Sequence, residues 1–343
     1  MVTQFPADYA HCAVLGVMKK LLFRLTSGPV RMRLHQDTIS SLSLRLTRLA
    51  EYTPSEFARR PRSMEHLRHW KATEYRMFLC YVGVVVFRDL VAPEIYGNYL
   101  LLMAGMRILL TPDDGTIRND LAKELLTKFV QHGIAMYGNT FATYNVHALI
   151  HLPADAMVLN NLNTASAFPF ESYLYQLKRL IRKPSCTLQQ IVNRIYQLRD
   201  LEYRAPVRGT KFMFCHDDGP VTPNTRGGVQ YKALLKGFSR YSTTKRDSCI
   251  MTEDGDIALI RNVVHKNGSE LLVLSKFRSK RPLFDDPLSS VEVSIYQVCD
   301  IDTAVFDCSV EYVKKMFLMP INDDNCHEDA QYAALVLLES LGR

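Results

Sequence analysis

The sequence predicts an α+β chain, mainly α over residues 1–205, with a linker or long loop at 206–228 and a small antiparallel β barrel or roll at 229–343. Three observations carry that reading. Apolar residues recur at helical spacing almost without interruption from residue 9 to residue 200. Glycines and prolines then crowd together at Gly209, Gly219, Pro220, Pro223, Gly227 and Gly228, after a composition shift at residues 204–206. Beyond them, short runs of β-branched, aliphatic and aromatic residues alternate with tight-turn signals.

Each element has a local reason. Asp8 suits the N-cap or first turn of a first helix on which Val14, Met18, Leu21 and Leu25 keep helical spacing, and Ser27-Gly-Pro29 ends it. A second helix is expected at 38–51, carrying Leu42, Leu44, Leu46 and Leu49. Pro54 and Pro61 mark a loop over 52–62, and Ser63 caps a helix that runs towards Tyr81 and holds Trp70, the only tryptophan. Pro93 opens a helix reaching Leu110, a turn follows at 112–115, and 116–137 reads as an amphipathic helix. The segment 143–157 is helical but interrupted at Pro153, and 160–164 is a polar loop. Pro169 opens a helix at a position where its missing N–H costs nothing, and Pro184 ends it. One more helix is expected at 188–201. Strands are expected at 229–238, 248–252, 257–264, 271–277, 291–298 and 305–308, with hairpin turns at 252–255 and 266–268. A last strand at 312–319 closes the roll, leaving an acidic turn at 323–324 and a final helix or strand at 330–341.

Bulk properties narrow the class. Of the 343 residues, 47% are hydrophobic and 22% charged, the profile of a soluble globular protein with a sizeable core. The net charge of +7 is uneven: residues 1–205 hold 25 Lys+Arg against 16 Asp+Glu, and the remainder is slightly acidic. A polyanion would therefore meet the first part. None of the eight cysteines forms a Cys-x-x-Cys pair, and several sit in apolar runs, which suits buried thiols in a reduced intracellular protein. No secretory signal is legible, and the longest apolar run, 77–87, is too short to span a bilayer, so no membrane partner is expected.

Four groups of residues could carry chemistry. On the helix opened by Pro169, Phe170, Leu174, Leu177 and Ile181 form an apolar stripe, and Glu171, Tyr175, Lys178 and Arg182 form a second stripe beside it. A carboxylate at the buried edge of a helix start, with cations further along, suits a metal-dependent enzyme acting on a polyphosphate; an ordinary solvated face has the same pattern. Asp8 and His11 face one side of the first turn, either as a metal-binding Asp with a His helper or as a capping Asp beside a space-filling His. Arg59, Arg60 and Arg62 can grip phosphates or simply line a solvated loop. His147 and His151 have the four-residue spacing of two ligands on one helix face, but no third ligand stands at a recognisable spacing, which leaves a zinc site weakly supported.

Four stretches stand in order along the chain: Phe5-Pro-Ala-Asp-Tyr-Ala-His-Cys-Ala-Val-Leu-Gly-Val-Met-Lys-Lys-Leu, Trp70-Lys-Ala-Thr-Glu-Tyr-Arg76, Tyr144-Asn-Val-His-Ala-Leu-Ile-His151 and Phe168-Pro-Phe-Glu-Ser-Tyr-Leu-Tyr-Gln-Leu-Lys-Arg179. Together they resemble the C-terminal half of transposases of the CACTA (En/Spm-like) class, invertebrate type. The resemblance covers about residues 4–200 and, more loosely, the β-rich tail. It implies an RNase H-like DDE recombinase, in which two Asp and one Glu hold two Mg²⁺ ions that activate the attacking oxygen and stabilise the leaving one. By motif, Asp8 would be the second carboxylate and Glu171 the third, with the intervening helices as the helical insertion of the class. His11 would be a helper, and Lys178, Arg179, Arg182 and Lys183 would contact the DNA backbone. Nuclear residence, DNA as partner and Mg²⁺ as metal follow from the same resemblance.

The family's first catalytic Asp lies well upstream of the second, whereas no acidic residue precedes Asp8 here. The expectation is a transposon-derived protein, truncated upstream of that second Asp, which keeps DNA affinity but binds no Mg²⁺ productively and performs no strand cleavage or transfer by itself. Two alternatives stand beside it. One is a non-enzymatic protein-interaction or chromatin module using the β-rich tail, where Tyr231, Phe238, Tyr241, Phe277 and Phe284 form either an aromatic cage or barrel core. The other is a DDE nuclease active only as part of a longer chain or complex.

Overall fold

The computed structural model describes residues 6–111, 116–202, 209–321 and 330–338. The turns expected at 112–115 and 323–324, the composition shift at 204–206 and the end of the segment at 330–341 lie outside them. The described chain is α+β, with helices in the first part and an antiparallel sheet in the second.

Asp8 leads into a π-helical stretch, Ala10–Met18, that continues directly into α1 (Lys19–Ser27). Such widened turns are rare and frequent at functional sites. A second one, Phe78–Val82, joins α3 (Ala72–Met77) to α4 (Gly83–Val86), after α2 (Gln36–Leu49) and a 3₁₀ turn at Met64–His69. The centre of the helical part is α5 (Pro93–Leu110), with Pro93 in its first turn; every residue from Asn98 to Leu110 is buried. A helix apolar on all sides must be surrounded, and α6 (Thr116–Tyr137), α7 (Tyr144–Ala148) and α8 (Leu152–Leu159) contribute to the same core. Pro153 sits in the first turn of α8, so the interruption expected there is a junction between two short helices.

The last two helices behave differently. In α9 (Phe168–Leu180) only Phe168 is buried, and α10 (Thr187–Glu202) is likewise surface-lying along its described side chains. The apolar stripe expected to pack inward is therefore largely open: Phe170 is 69% exposed and Leu174 52%.

Among the described residues the sheet has ten strands: β1 (Lys211–His216), β2 (Val229–Lys236), β3 (Ser239–Ser242), β4 (Cys249–Thr252), β5 (Ile257–Lys266), β6 (Ser269–Pro282), β7 (Ile295–Ile301), β8 (Phe306–Ser309), β9 (Val313–Pro320) and β10 (Tyr332–Val336). All pairings are antiparallel, and β5, β4, β9, β10, β7 and β6 close on themselves because β6 pairs back onto β5. The long β6 makes closure possible, since its first half pairs with β5 and its second half with β7. The β5–β6 hairpin turns at Asn267 and Gly268, both at positive φ, the requirement that selects Asn-Gly there. The region expected as a linker holds β1, and the helix or strand expected at 330–341 is a strand, β10, over its described residues.

Alternation along these strands buries both faces. Met316, Leu318, Ala334, Tyr296, Val298, Ile257 and Cys249 form one cluster drawn from five of the closed strands, to which β6 adds Phe277. Their sequence neighbours Phe317, Met319, Ala333, Leu335 and Ile295 belong instead to the core of the helical part. Helices and barrel are thus one packed body across that face. Arg107 of α5 fastens it: buried to 1% exposure, it donates from Nε to Val293 O at 2.9 Å, from Nη1 to Cys80 O at 2.9 Å and from Nη2 to Val336 O at 3.0 Å.

Candidate functional site

The four stretches that carry the family resemblance converge on the π-helical segment. The Asp8 carboxylate accepts from Ala10 N at 3.1 Å and His11 N at 3.1 Å, the capping role its position suggests. It also accepts from Ala167 N at 2.9 Å, which ties the start of α9 to the start of the first helix across the length of the intervening chain. His11 stands between the two expected carboxylates, with Nδ1 2.5 Å from Asp8 Oδ2 and Nε2 3.9 Å from Glu171 Oε1. The structure therefore brings Asp8, His11 and Glu171 together. His11 and Glu171 are exposed, while Asp8 is three-quarters covered.

Beneath this trio lies a polar chain. Arg76 Nε donates to the Tyr9 hydroxyl at 3.0 Å, and that hydroxyl donates to Asn163 Oδ1 at 3.0 Å. Tyr9 also packs on Phe168, with ring centroids 5.8 Å apart. Burial raises the Tyr9 hydroxyl pKa against the opposing pull of Arg76, so the group is a neutral hydrogen-bonding bridge. Burial, with Asp8 and Asp155 close by, pushes the Cys12 thiol up to about 12, which makes it an inert core group. Cys12 Sγ reaches Asn145 O at 3.4 Å, and a Cβ at Gly16 would lie 2.4 Å from the Asn145 side chain, so glycine is what lets α7 approach this closely.

The donor set does not suit the Mg²⁺ that the resemblance implies. That ion needs open carboxylate oxygens in near-octahedral array, whereas both oxygens of Asp8 are already taken by three backbone N–H groups and His11. Among the described residues no group of three or more His, Cys, Asp and Glu is arranged to hold a metal ion. His147 and His151 do face each other, with Nε2 atoms 3.4 Å apart, but they remain a pair.

The basic candidates separate into two sets. Lys178 and Arg179 occupy the last turn of α9, and Arg182 and Lys183 lie in the following turn; all four are exposed. Gln190 fixes that turn: its Oε1 accepts from Arg182 N and Lys183 N at 2.9 and 3.2 Å, and its Nε2 donates to Lys183 O and Ser185 O at 2.9 and 2.6 Å. Arg199 on α10 adds exposed charge and Arg194 a half-buried one, and Phe170, Tyr173, Tyr175 and Tyr196 add exposed rings. Sequence reasoning missed Gln190, Arg194 and Arg199, although the Thr-x-x-Gln pattern at 187–190 is a helix-start signal with a reach-back side chain.

The loop cluster does not act as a unit. Arg59 and Arg60 are exposed, but Arg62 is spent on Glu74, in a two-pronged pair at 2.6 and 2.9 Å to a carboxylate that is 2% exposed. The proposed aromatic cage also fails to form. Tyr231 and Tyr241 belong to the cluster around Leu234, Phe277 to the barrel interior and Phe284 to the helical core, because alternation sends neighbouring rings to different faces.

No helix among the described residues is long and apolar enough to cross a membrane, and the seven described cysteines form no disulfide. Residues 215–337, the β-rich part, match the family described as a domain of unknown function (DUF8592). No curated protein and no solved structure matches the chain.

Proposed function

We propose that this is a DNA-binding protein related to CACTA-class DDE transposases, acting without strand cleavage of its own, in which α9, α10 and the turn between them face the nucleic acid. One observation carries the reading: residues 168–199 hold six Lys and Arg against Glu171 alone, on a helical hairpin where five of those cations and the rings of Phe170, Tyr173, Tyr175 and Tyr196 are exposed together. Cations on a turn stiffened by Gln190 can track phosphates, and exposed tyrosines offer stacking surfaces for bases. In this reading the helices from α2 to α8 correspond to the helical insertion of an RNase H-like transposase. Asp8 and Glu171 descend from metal-binding carboxylates, with Asp8 now serving as a staple between two helix starts. Nuclear residence belongs to the same proposal.

The test is binding to duplex DNA over a salt series. Each phosphate contact adds about 0.9 to the slope of log affinity against log salt. Replacing Lys178, Arg179, Arg182 and Lys183 together by alanine is expected to lower that slope by about 3 to 4. Absence of binding, or a slope that the fourfold variant leaves unchanged, sinks the proposal.

A further inference from the structure

A cavity of about 800 Å³ lies between the helical part and the barrel, within the size range of small-molecule sites. Arg76 and Thr73 reach it from one face of α3, three residues apart. Phe168 and Ser172 reach it from one face of α9, four residues apart, and Phe57 and Tyr241 supply aromatic wall opposite the helices.

The charges of this cavity do not balance internally. Arg76 is 9% exposed; among the described residues its Nε donates to the Tyr9 hydroxyl and its Nη2 finds no partner. Arg107, also on the wall, gives all its bonds to backbone carbonyls. Among the described residues no carboxylate pairs with either guanidinium, since Glu56, the acidic residue on the wall, spends both oxygens on Lys315. A buried cation with no counter-ion is costly, and its cost falls sharply when an anion meets it in the same low-dielectric space. A guanidinium edge left open beside hydroxyls is a phosphate receptor by geometry. The space far exceeds one phosphate, and its remaining walls are aromatic and aliphatic.

We propose that this cavity binds a phosphate monoester carrying a flat ring, a ligand of the mononucleotide class, with the phosphate on Arg76 between Thr73 and Ser172 and the ring against the aromatic wall. The cavity borders α9 at Phe168 and Ser172, but its cation is Arg76 and not those of the basic α9–α10 surface, so it does not depend on the DNA-binding reading.

The experiment is calorimetric titration of the full chain with AMP and dTMP, with adenosine and inorganic phosphate as controls. Saturable one-to-one binding of at least one nucleotide is expected, at least tenfold tighter than either control. Arg76→Met should weaken it at least tenfold. Arg76 also holds Tyr9, so Ser172→Trp, on the exposed rim of the cavity, provides a second variant that leaves the core untouched and should weaken binding to a similar extent. Competition by a 5′-phosphorylated single strand, but not by its unphosphorylated twin, would identify a nucleic-acid end as the source of the phosphate, and failure to compete would identify a free nucleotide. Absence of binding by both nucleotides, or equal affinity in the wild type and the folded variants, overturns the proposal.

Discussion

Lys315 and His11 each stand between two carboxylates drawn from distant parts of the chain, yet the two groups serve opposite ends. Lys315 of β9 lies 2.7 Å from Glu56 and 2.6 Å from Asp247, and it also donates to Arg240 O. Asp247 in turn accepts from Ser55 N and Oγ at 3.0 and 2.6 Å. Lys315 and Asp247 are each only 4% exposed, and Glu56 is 10% exposed. His11 and Glu171 are both more than half exposed. The first group joins the loop after α2 to the barrel from inside, where water cannot compete. The second marks the surface junction of the first helix with α9, where water screens it and a ligand could reach it. The same residue types thus become fastening or receptive surface according to burial alone.

Removing Lys315 should produce the largest effect. Lys315→Met strands two buried carboxylates, and losing one partner of such a cluster typically costs about 3–5 kcal/mol. A free energy of unfolding from denaturant titration that falls by less than a quarter of that amount would break the contrast between the two groups. Burial raises the pKa of the Asp247 carboxyl, but Lys315 and the Ser55 hydrogen bonds outweigh that effect and hold it below the usual carboxylate range. A group whose folded pKa is depressed stabilises the fold above its unfolded pKa, about 3.9, and that contribution is lost as pH falls through the folded value. Wild-type stability should therefore persist down to about pH 4. In Lys315→Met, only the Ser55 hydrogen bonds still oppose burial at Asp247, and the acid loss should begin at higher pH in a pH series of thermal melts.

An intermediate effect is expected at Asp8. Asp8→Ala removes the cap of the first helix and leaves Ala167 N–H without its acceptor, for a combined cost of about 1–2 kcal/mol. Asp8→Asn keeps a capping oxygen and should recover about half of it. Equal losses in the two variants would show that the carboxylate charge, and not the stapling geometry, is what matters there.

The sequence showed more of the parts than of their assembly. Proline positions fixed the start of α5 at Pro93, and the Asn-Gly pair fixed the β5–β6 turn, because both signals act within a few residues. Helical spacing on α9 showed that Phe170 and Leu174 share a face, but a period cannot say what covers that face, and here it stays open. From sequence β1 reads as linker, because Lys211–His216 is a short run inside a Gly- and Pro-rich segment and its pairing partner β2 lies beyond that segment. Asp8 and Glu171 are linked in the sequence only through the family motifs, since no local pattern joins residues that far apart, and the structure places both beside His11. Lys315 and Asp247 give no signal, and Arg76 gives only its place in the Trp70–Arg76 stretch, because burial of a charge depends on partners that are distant in the chain.

Glu171 supplies the smallest and most discriminating test of the comparison. Its side chain is mostly exposed and its contact with His11 is a long 3.9 Å, so Glu171→Ala should shift stability by less than about 0.5 kcal/mol. If the exposed trio is a relic, Mg²⁺ at millimolar concentration should leave the melting temperature of wild type and variant equally unchanged. DNA affinity should stay level or tighten slightly in the variant, since one carboxylate leaves the basic hairpin. If Mg²⁺ stabilises the wild type and this stabilisation disappears in Glu171→Ala, Asp8 must release its backbone donors to the ion. The exposed group would then be a working metal site, and the reading of this chain as a DNA-binding protein without cleavage would fall with it.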